Sequence, residues 1–141
     1  MNFIKKLPLD IICKIIPYTY NVQNTILLQD IINYTKLKNI LLQYYFNYWI
    51  IQFEHIEPED KNWLINDIYS YINDDYPTML GYVDKFYNIL KRNLQLQTIE
   101  DVDRYILYLD KKNINSQVNI FIGLLQPSER NIFLDLRGGN I

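Results

Sequence analysis

Apolar residues recur along this chain at helical spacing, and nowhere do they alternate with polar ones over the length of a strand. The first run follows Leu7 and Pro8, where Ile11, Ile12, Ile15 and Ile16 form an i, i+1, i+4, i+5 stripe. Pro8 suits a first turn, Asp10 complements the helix dipole there, and Pro17 forbids continuation, so a short helix is predicted over 7–16. Leu27, Leu28, Ile31 and Ile32 repeat the stripe and predict a second helix over 25–33. A third, from Thr35, sets Leu37, Ile40, Leu41, Tyr44, Tyr48 and Ile51 at the same spacing.

The character changes over 54–60, which is acidic and carries Pro58. A fourth helix begins there, burying Leu64, Ile65, Ile68 and Ile72 and stopping in the polar run Asn73-Asp74-Asp75-Tyr76-Pro77. Pro77 opens a fifth helix that uses Leu80, Val83, Tyr87, Leu90 and Leu94. Thr98, with Glu100 and Asp101 behind it, has the form of an N-cap for a sixth, whose stripe is Ile99, Val102, Tyr105, Ile106 and Leu109. Ser116 is the expected cap of a seventh carrying Val118, Phe121, Ile122 and Leu125, and Pro127 begins an eighth that ends at Arg137-Gly138-Gly139. No Asn-Gly or Asp-Gly hairpin turn occurs, and no repeat of about 30–45 residues. The pattern predicts an all-α, single-domain bundle of about 7–8 helices. An N-terminal part, 1–53, and a C-terminal part, 54–141, are expected to pack as one folded unit.

Composition sharpens that picture in one respect. The 141 residues include 13 Tyr and no Ala, so the helices lack the best intrinsic former and must be held by burial of their apolar faces. The length fits one domain of about 100–150 residues. A net charge of −2 gives no overall field for nucleic acid, whose binding rests on neutralised phosphates. One cysteine, Cys13, excludes an internal disulfide or a Cys-rich zinc site. No apolar run approaches the ~20 residues of a membrane span, and no signal-peptide pattern opens the chain. A soluble, reduced, intracellular protein with neither nucleic-acid nor membrane partner is expected.

Candidate chemistry is sparse. The single histidine, His55, lies in the acidic loop, and Cys13 sits between two Ile pairs, so no nucleophile–base pair is set up. Glu54, Glu57, Glu59 and Asp60, and then Asp74 and Asp75, lack the alternating pattern of a calcium loop and read as a helix start and a turn. Gly81, Gly123, Gly138 and Gly139 form no phosphate cradle. No catalytic residue, cofactor or metal is therefore expected; an acid-only mechanism through Glu57 or Asp75 is what an enzyme reading would have left. The aromatic run Tyr44, Tyr45, Phe46, Tyr48 and Trp49 is read with Tyr44 and Tyr48 in the core and the other three open between core and surface.

The stretch Leu7-Pro8-x-Asp10-Ile11-Ile12-x-x-Ile15-Ile16-x-Tyr18 resembles the opening of an F-box. Leu27-Leu28 and Leu37-Lys38-Asn39-Ile40-Leu41 resemble its second and third helices, over about 40 residues in all. The loop after Tyr18 is longer than in the family, Leu37 stands at the usual Trp position, and Asn33 at that of a Val. Through Pro17-Tyr18-Thr19-Tyr20-Asn21-Val22-Gln23, Trp63-Leu64-Ile65-Asn66-Asp67, Gly81-Tyr82-Val83-Asp84 and Gly123-Leu124-Leu125-Gln126-Pro127, the chain is also similar to short F-box-like proteins of giant DNA viruses. The resemblance implies a three-helix N-terminal part that docks a Skp1-like linker of a cullin ubiquitin ligase. Leu7, Pro8, Ile11, Ile12, Ile15 and Ile16 would make the contact, with an unknown second protein held by 54–141 and the host cytoplasm as the location. The same stripe satisfies an ordinary core equally well, and a self-associating structural or accessory protein of a large DNA virus is the alternative.

Overall fold

The computed structural model describes residues 24–54 and 57–137. Every regular element among them is helical, so the all-α expectation holds for these residues. In chain order they are α1 (Thr25–Gln52), α2 (Asp60–Ile72), a 3₁₀ turn (Thr78–Leu80), α3 (Asp84–Leu90), α4 (Ile99–Leu109), α5 (Ile114–Leu124) and α6 (Pro127–Arg137). The chain divides into two compact units, Met1–Ile32 and Asn33–Ile141. The predicted helix over 7–16 lies outside the described residues, as do Cys13, His55 and the Gly138-Gly139 stop.

Six α-helices stand where the sequence predicts seven over the same residues, because the second and third expected helices are one. α1 runs unbroken for 28 residues: no Pro or Gly lies within it, and the polar Asn33-Tyr34-Thr35 stretch is no barrier to helix. Asn24 starts it, its Oδ1 accepting the Ile26 N–H at 3.0 Å.

The fifth expected helix is interrupted as well. Gly81, at φ +125°, occupies backbone space that an L-residue avoids, and it separates the 3₁₀ turn from α3. α3 stops at Leu90, where Arg92 and Asn93 N–H groups tighten onto the carbonyls three residues back. Leu80 and Leu94, expected in the core, are therefore exposed.

Elsewhere the helix ends follow from local chemistry. Thr98 and Asp101 form a reciprocal capping box at the start of α4, as the sequence predicts. α5 is capped by Asn113, not Ser116: Asn113 Oδ1 accepts the Ser116 N–H at 2.9 Å. At α6, Glu129 reaches back to accept the Gln126 N–H at 2.7 Å. Arg92 grips the same carboxylate with both terminal nitrogens and donates to the Leu124 carbonyl at 2.9 Å, tying the end of α3 to the α5–α6 corner.

α2 packs most closely along α5, with α3 against α2 and α4. Leu64, Ile65, Ile68 and Ile72 of α2 meet Val118, Phe121 and Ile122 of α5 in one core. Val102, Ile106 and Leu109 of α4, Phe86 of α3, Phe133 of α6 and Leu41 and Tyr45 of α1 complete it. Ile99, predicted on the buried stripe of α4, is half-exposed.

One buried cation holds the bundle's last corner. Arg130, 2% exposed, donates from Nε to the Ile122 carbonyl at 2.8 Å and from Nη1 to Asn33 Oδ1 at 3.2 Å, and lies over the Tyr34 ring. A positive charge at the C-terminal end of α5 faces the negative pole of that helix.

Two outcomes are expected. Truncating Phe121 to Ala opens a cavity in the α2–α5 core and lowers unfolding stability by about 3–5 kcal/mol, whereas Ile99→Ala stays within about 0.5 kcal/mol, both read by urea denaturation. Secondly, burial opposes ionisation of Glu129, but the Arg92 and Gln126 donors outweigh it and hold its carboxyl below the ordinary 4.5. The Thr98 and Gln97 donors lower Asp101 likewise. Groups with lowered folded pKa values bind fewer protons folded than unfolded, so their stabilisation is full above the unfolded value and lost as pH falls through the folded one. The urea midpoint should drop between about pH 5 and pH 3, and Glu129→Gln should flatten that drop.

Candidate functional site

Two surfaces stand out, one on the long α1 and one built by the turn after α2. Between Lys38 and Glu54 the chain carries no charged side chain. Leu37, Leu41, Tyr45 and Trp49, each four residues apart, are the buried face of this stretch. The aromatic assignment made from sequence is thereby corrected: Tyr45 and Trp49 are core, Tyr44 is half-buried, and Tyr48 stands 43% exposed. Tyr45 donates its hydroxyl hydrogen bond to Asp67, and burial together with that bond pushes the phenol pKa upward. Trp49 packs edge-on to Trp63 and stacks on Phe53.

The neighbouring face carries Ile40, Tyr44, Tyr48 and Ile51, the last 77% exposed, flanked by the amides of Asn39, Gln43 and Asn47. They line an apolar groove of about 520 Å³. In the first unit, Ile26, Leu27, Leu28, Ile31 and Ile32 are also exposed. All but Ile26 are the residues expected to form the second helical stripe, and Leu27-Leu28 carries part of the F-box likeness. The other residues predicted to contact a partner, Leu7, Pro8, Ile11, Ile12, Ile15 and Ile16, lie outside the described residues.

The second surface is a cavity of about 450 Å³ built by the turn that follows α2. Its organiser is Asn73, 0% exposed. The Asn73 amide donates to the Tyr76 carbonyl at 2.8 Å and the Gly81 carbonyl at 3.1 Å, and its oxygen accepts the Val83 N–H at 2.8 Å. One side chain thus satisfies three backbone groups across residues 76–83, a closed network of the sort that fixes a loop in one conformation. Asp74 and Asp75 enter the turn at φ 51° and 59°, left-handed geometry that aspartate tolerates better than most residues.

Tyr69, Tyr76 and Tyr82 give aromatic walls to the cavity, and Asp75 and Asp110 give carboxylates. Tyr82 stacks on Phe86 at 4.0 Å between ring centres, and Tyr69 packs on Phe86 and Phe121, so both rings are held by the core. The Tyr69 hydroxyl is shielded from solvent and meets no hydrogen-bond partner among the described residues, which costs about 1–3 kcal/mol for a buried hydroxyl. Burial foremost, then the Asp110 charge, pushes its pKa up. Asp75 pairs with Arg137 at 3.4 Å. Asp110 closes α4 as its C-cap, and among the described residues its carboxylate neither pairs with a cation nor accepts a hydrogen bond.

The sequence reading takes 73–77 as a helix stop, with Asp74 and Asp75 in a turn, and gives Asn73, Tyr82 and Asp110 no part in a site. The accessible signal was the crowding of Asn-Asp-Asp with Pro77 and Gly81, residues that build turns and not merely end helices. Among the described residues no three His, Cys, Asp or Glu side chains come together as a metal site would require, and no helix is long and apolar enough to cross a membrane. No protein-family model, no characterised protein and no solved structure matches this chain.

Asn73 carries a direct test. Asn73→Ala leaves the Tyr76 and Gly81 carbonyls and the Val83 N–H without their partner and should cost more than about 2 kcal/mol in urea unfolding. Asn73→Asp keeps the acceptor but sets a carboxylate against two carbonyls, and should cost at least as much at neutral pH. Near-wild-type stability in both would mean the turn stands without its amide.

Proposed function

We propose that this chain is a non-enzymatic protein-interaction adaptor whose F-box-like N-terminal part docks a Skp1-like linker of a cullin ubiquitin ligase. The observation that carries the reading is the set of large apolar side chains left in solvent on the first turns of α1, Ile26, Leu27, Leu28 and Ile32. Clustered exposed apolar residues are the mark of a partner surface. Beside them in sequence stands the Leu7-Pro8-x-Asp10 pattern with Ile11, Ile12, Ile15 and Ile16, whose apolar stripe would seat in a partner's groove. In this reading the second partner, the protein to be recruited, is held by 54–141.

A second reading has an observation of its own. The groove lined by Ile40, Tyr44, Tyr48 and Ile51 contains no charge, and its Asn and Gln amides both donate and accept. Two copies could face one another there without like-charge repulsion, as a self-associating structural protein requires.

Purified full-length protein is to be titrated against a Skp1-type linker by calorimetry and sized by light scattering. The adaptor reading expects a monomer that binds the linker, with Ile12→Asp and Ile32→Asp each weakening binding by about tenfold or more while helical circular dichroism is kept. Absence of linker binding by folded wild type overturns it. A stable dimer that Ile51→Asp dissociates would establish the self-associating reading in its place.

A further inference from the structure

We infer that the cavity beneath the Asn73-stapled turn binds a protonated alkylamine, through the Asp110 carboxylate and the tyrosine walls. Four observations converge on that chemistry. The space, about 450 Å³, is of the size that small ligands occupy. Its wall is held before any ligand arrives, because Asn73 pins residues 76–83 and Phe86 pins Tyr69 and Tyr82. A preformed wall spares a ligand the entropy of ordering it.

The third observation is electrostatic. α4 ends at the cavity on Asp110, with no basic residue in its last turn, so a carboxylate sits at the negative pole of its own helix. Asp110 is exposed, and Lys111 and Lys112 follow it in sequence, outside the cavity lining. Asp75 supplies a second carboxylate, already engaged by Arg137, and no described Lys or Arg lines the cavity. Asp110 is thus the carboxylate of the lining that has no ion pair among the described residues.

The fourth is the character of the lining. Tyr69, Tyr76 and Tyr82 offer ring surfaces, whose quadrupoles attract cations, and Pro77, Met79 and Ile106 offer apolar contact to an alkyl body. An anion would meet two carboxylates, and a wholly apolar ligand would make no use of Asp110, Asn66 and Ser70. An ammonium N–H donating to Asp110, with its chain laid along the tyrosines, satisfies both halves. The amine can be a free small molecule or the lysine side chain of another protein, and the two share this chemistry.

The test is a nuclear magnetic resonance titration of the full chain with pentylammonium, with N-acetyl-lysine methylamide, and with pentanol as the neutral analogue. Saturable shifts are expected at Tyr69, Tyr82 and Asp110 with a millimolar dissociation constant. Pentanol should bind about tenfold more weakly than pentylammonium. Asp110→Asn, on an exposed side chain, should weaken pentylammonium by a similar factor, and Thr78→Arg, which puts a fixed cation at the exposed rim, should abolish binding. Pentylammonium binding without the lysine derivative assigns a free amine; tighter binding of the lysine derivative assigns a protein lysine. Equal affinity for pentanol, unaltered affinity in folded Asp110→Asn, or shifts spread over surface carboxylates without saturation overturns the inference.

Discussion

Apolar burial between α2 and α5 is the constraint on which the rest of this structure depends. A chain with no alanine, rich in Ile, Asn and Tyr, has little intrinsic helicity to draw on, and helices of 11 residues are too short to stand alone in water. What holds them is the contact of Leu64, Ile68 and Ile72 with Val118, Phe121 and Ile122, all essentially sealed from solvent. α3, α4 and α6 add one or more large side chains to that same core, so each helix owes its existence to the others.

Polar groups then decide the conformation of what lies between. Arg130 and the Arg92–Glu129 pair fix the α5–α6 corner by satisfying carbonyls and an N–H that helix ends leave open. Asn73 does the same for the turn after α2, with all its bonds to backbone. Because that turn is tied down, the side chains it carries enclose a defined cavity, and α4 delivers Asp110 to it. The two candidate surfaces therefore sit at opposite levels of organisation: a cavity shaped by a buried polar staple, and on α1 a helix face left apolar and open.

Period was the readable part of the sequence. The buried positions of α2 and α5 and the core triplet Val102, Ile106 and Leu109 follow directly from 3.6-residue spacing, and the Thr98 capping box from its residue types. α1 misled for a physical reason: over 39–52 it is uncharged and rich in apolar residues on several sides, so periodicity alone selects no face. Packing chose Tyr45 and Trp49 over Tyr44 and Tyr48. Gly81 was read as a helical residue since its positive φ is a property of the backbone path, invisible in spacing. The cavity escaped notice because Asn73, Tyr82 and Asp110 come together only when α2, the turn and α4 have packed.

The linker-docking stretch of the adaptor reading and the proposed amine cavity occupy separate parts of the chain, and fixed surfaces over 54–141 presuppose that α2, α4 and α5 form one cooperative body. Native-state amide hydrogen exchange in low urea measures this most directly. Amides of Ile68, Ile106 and Phe121 should exchange only through global unfolding, with one shared free energy and one shared urea dependence. Exchange of the α4 amides through a separate, urea-insensitive opening, well below the free energy of α2 and α5, would contradict the account.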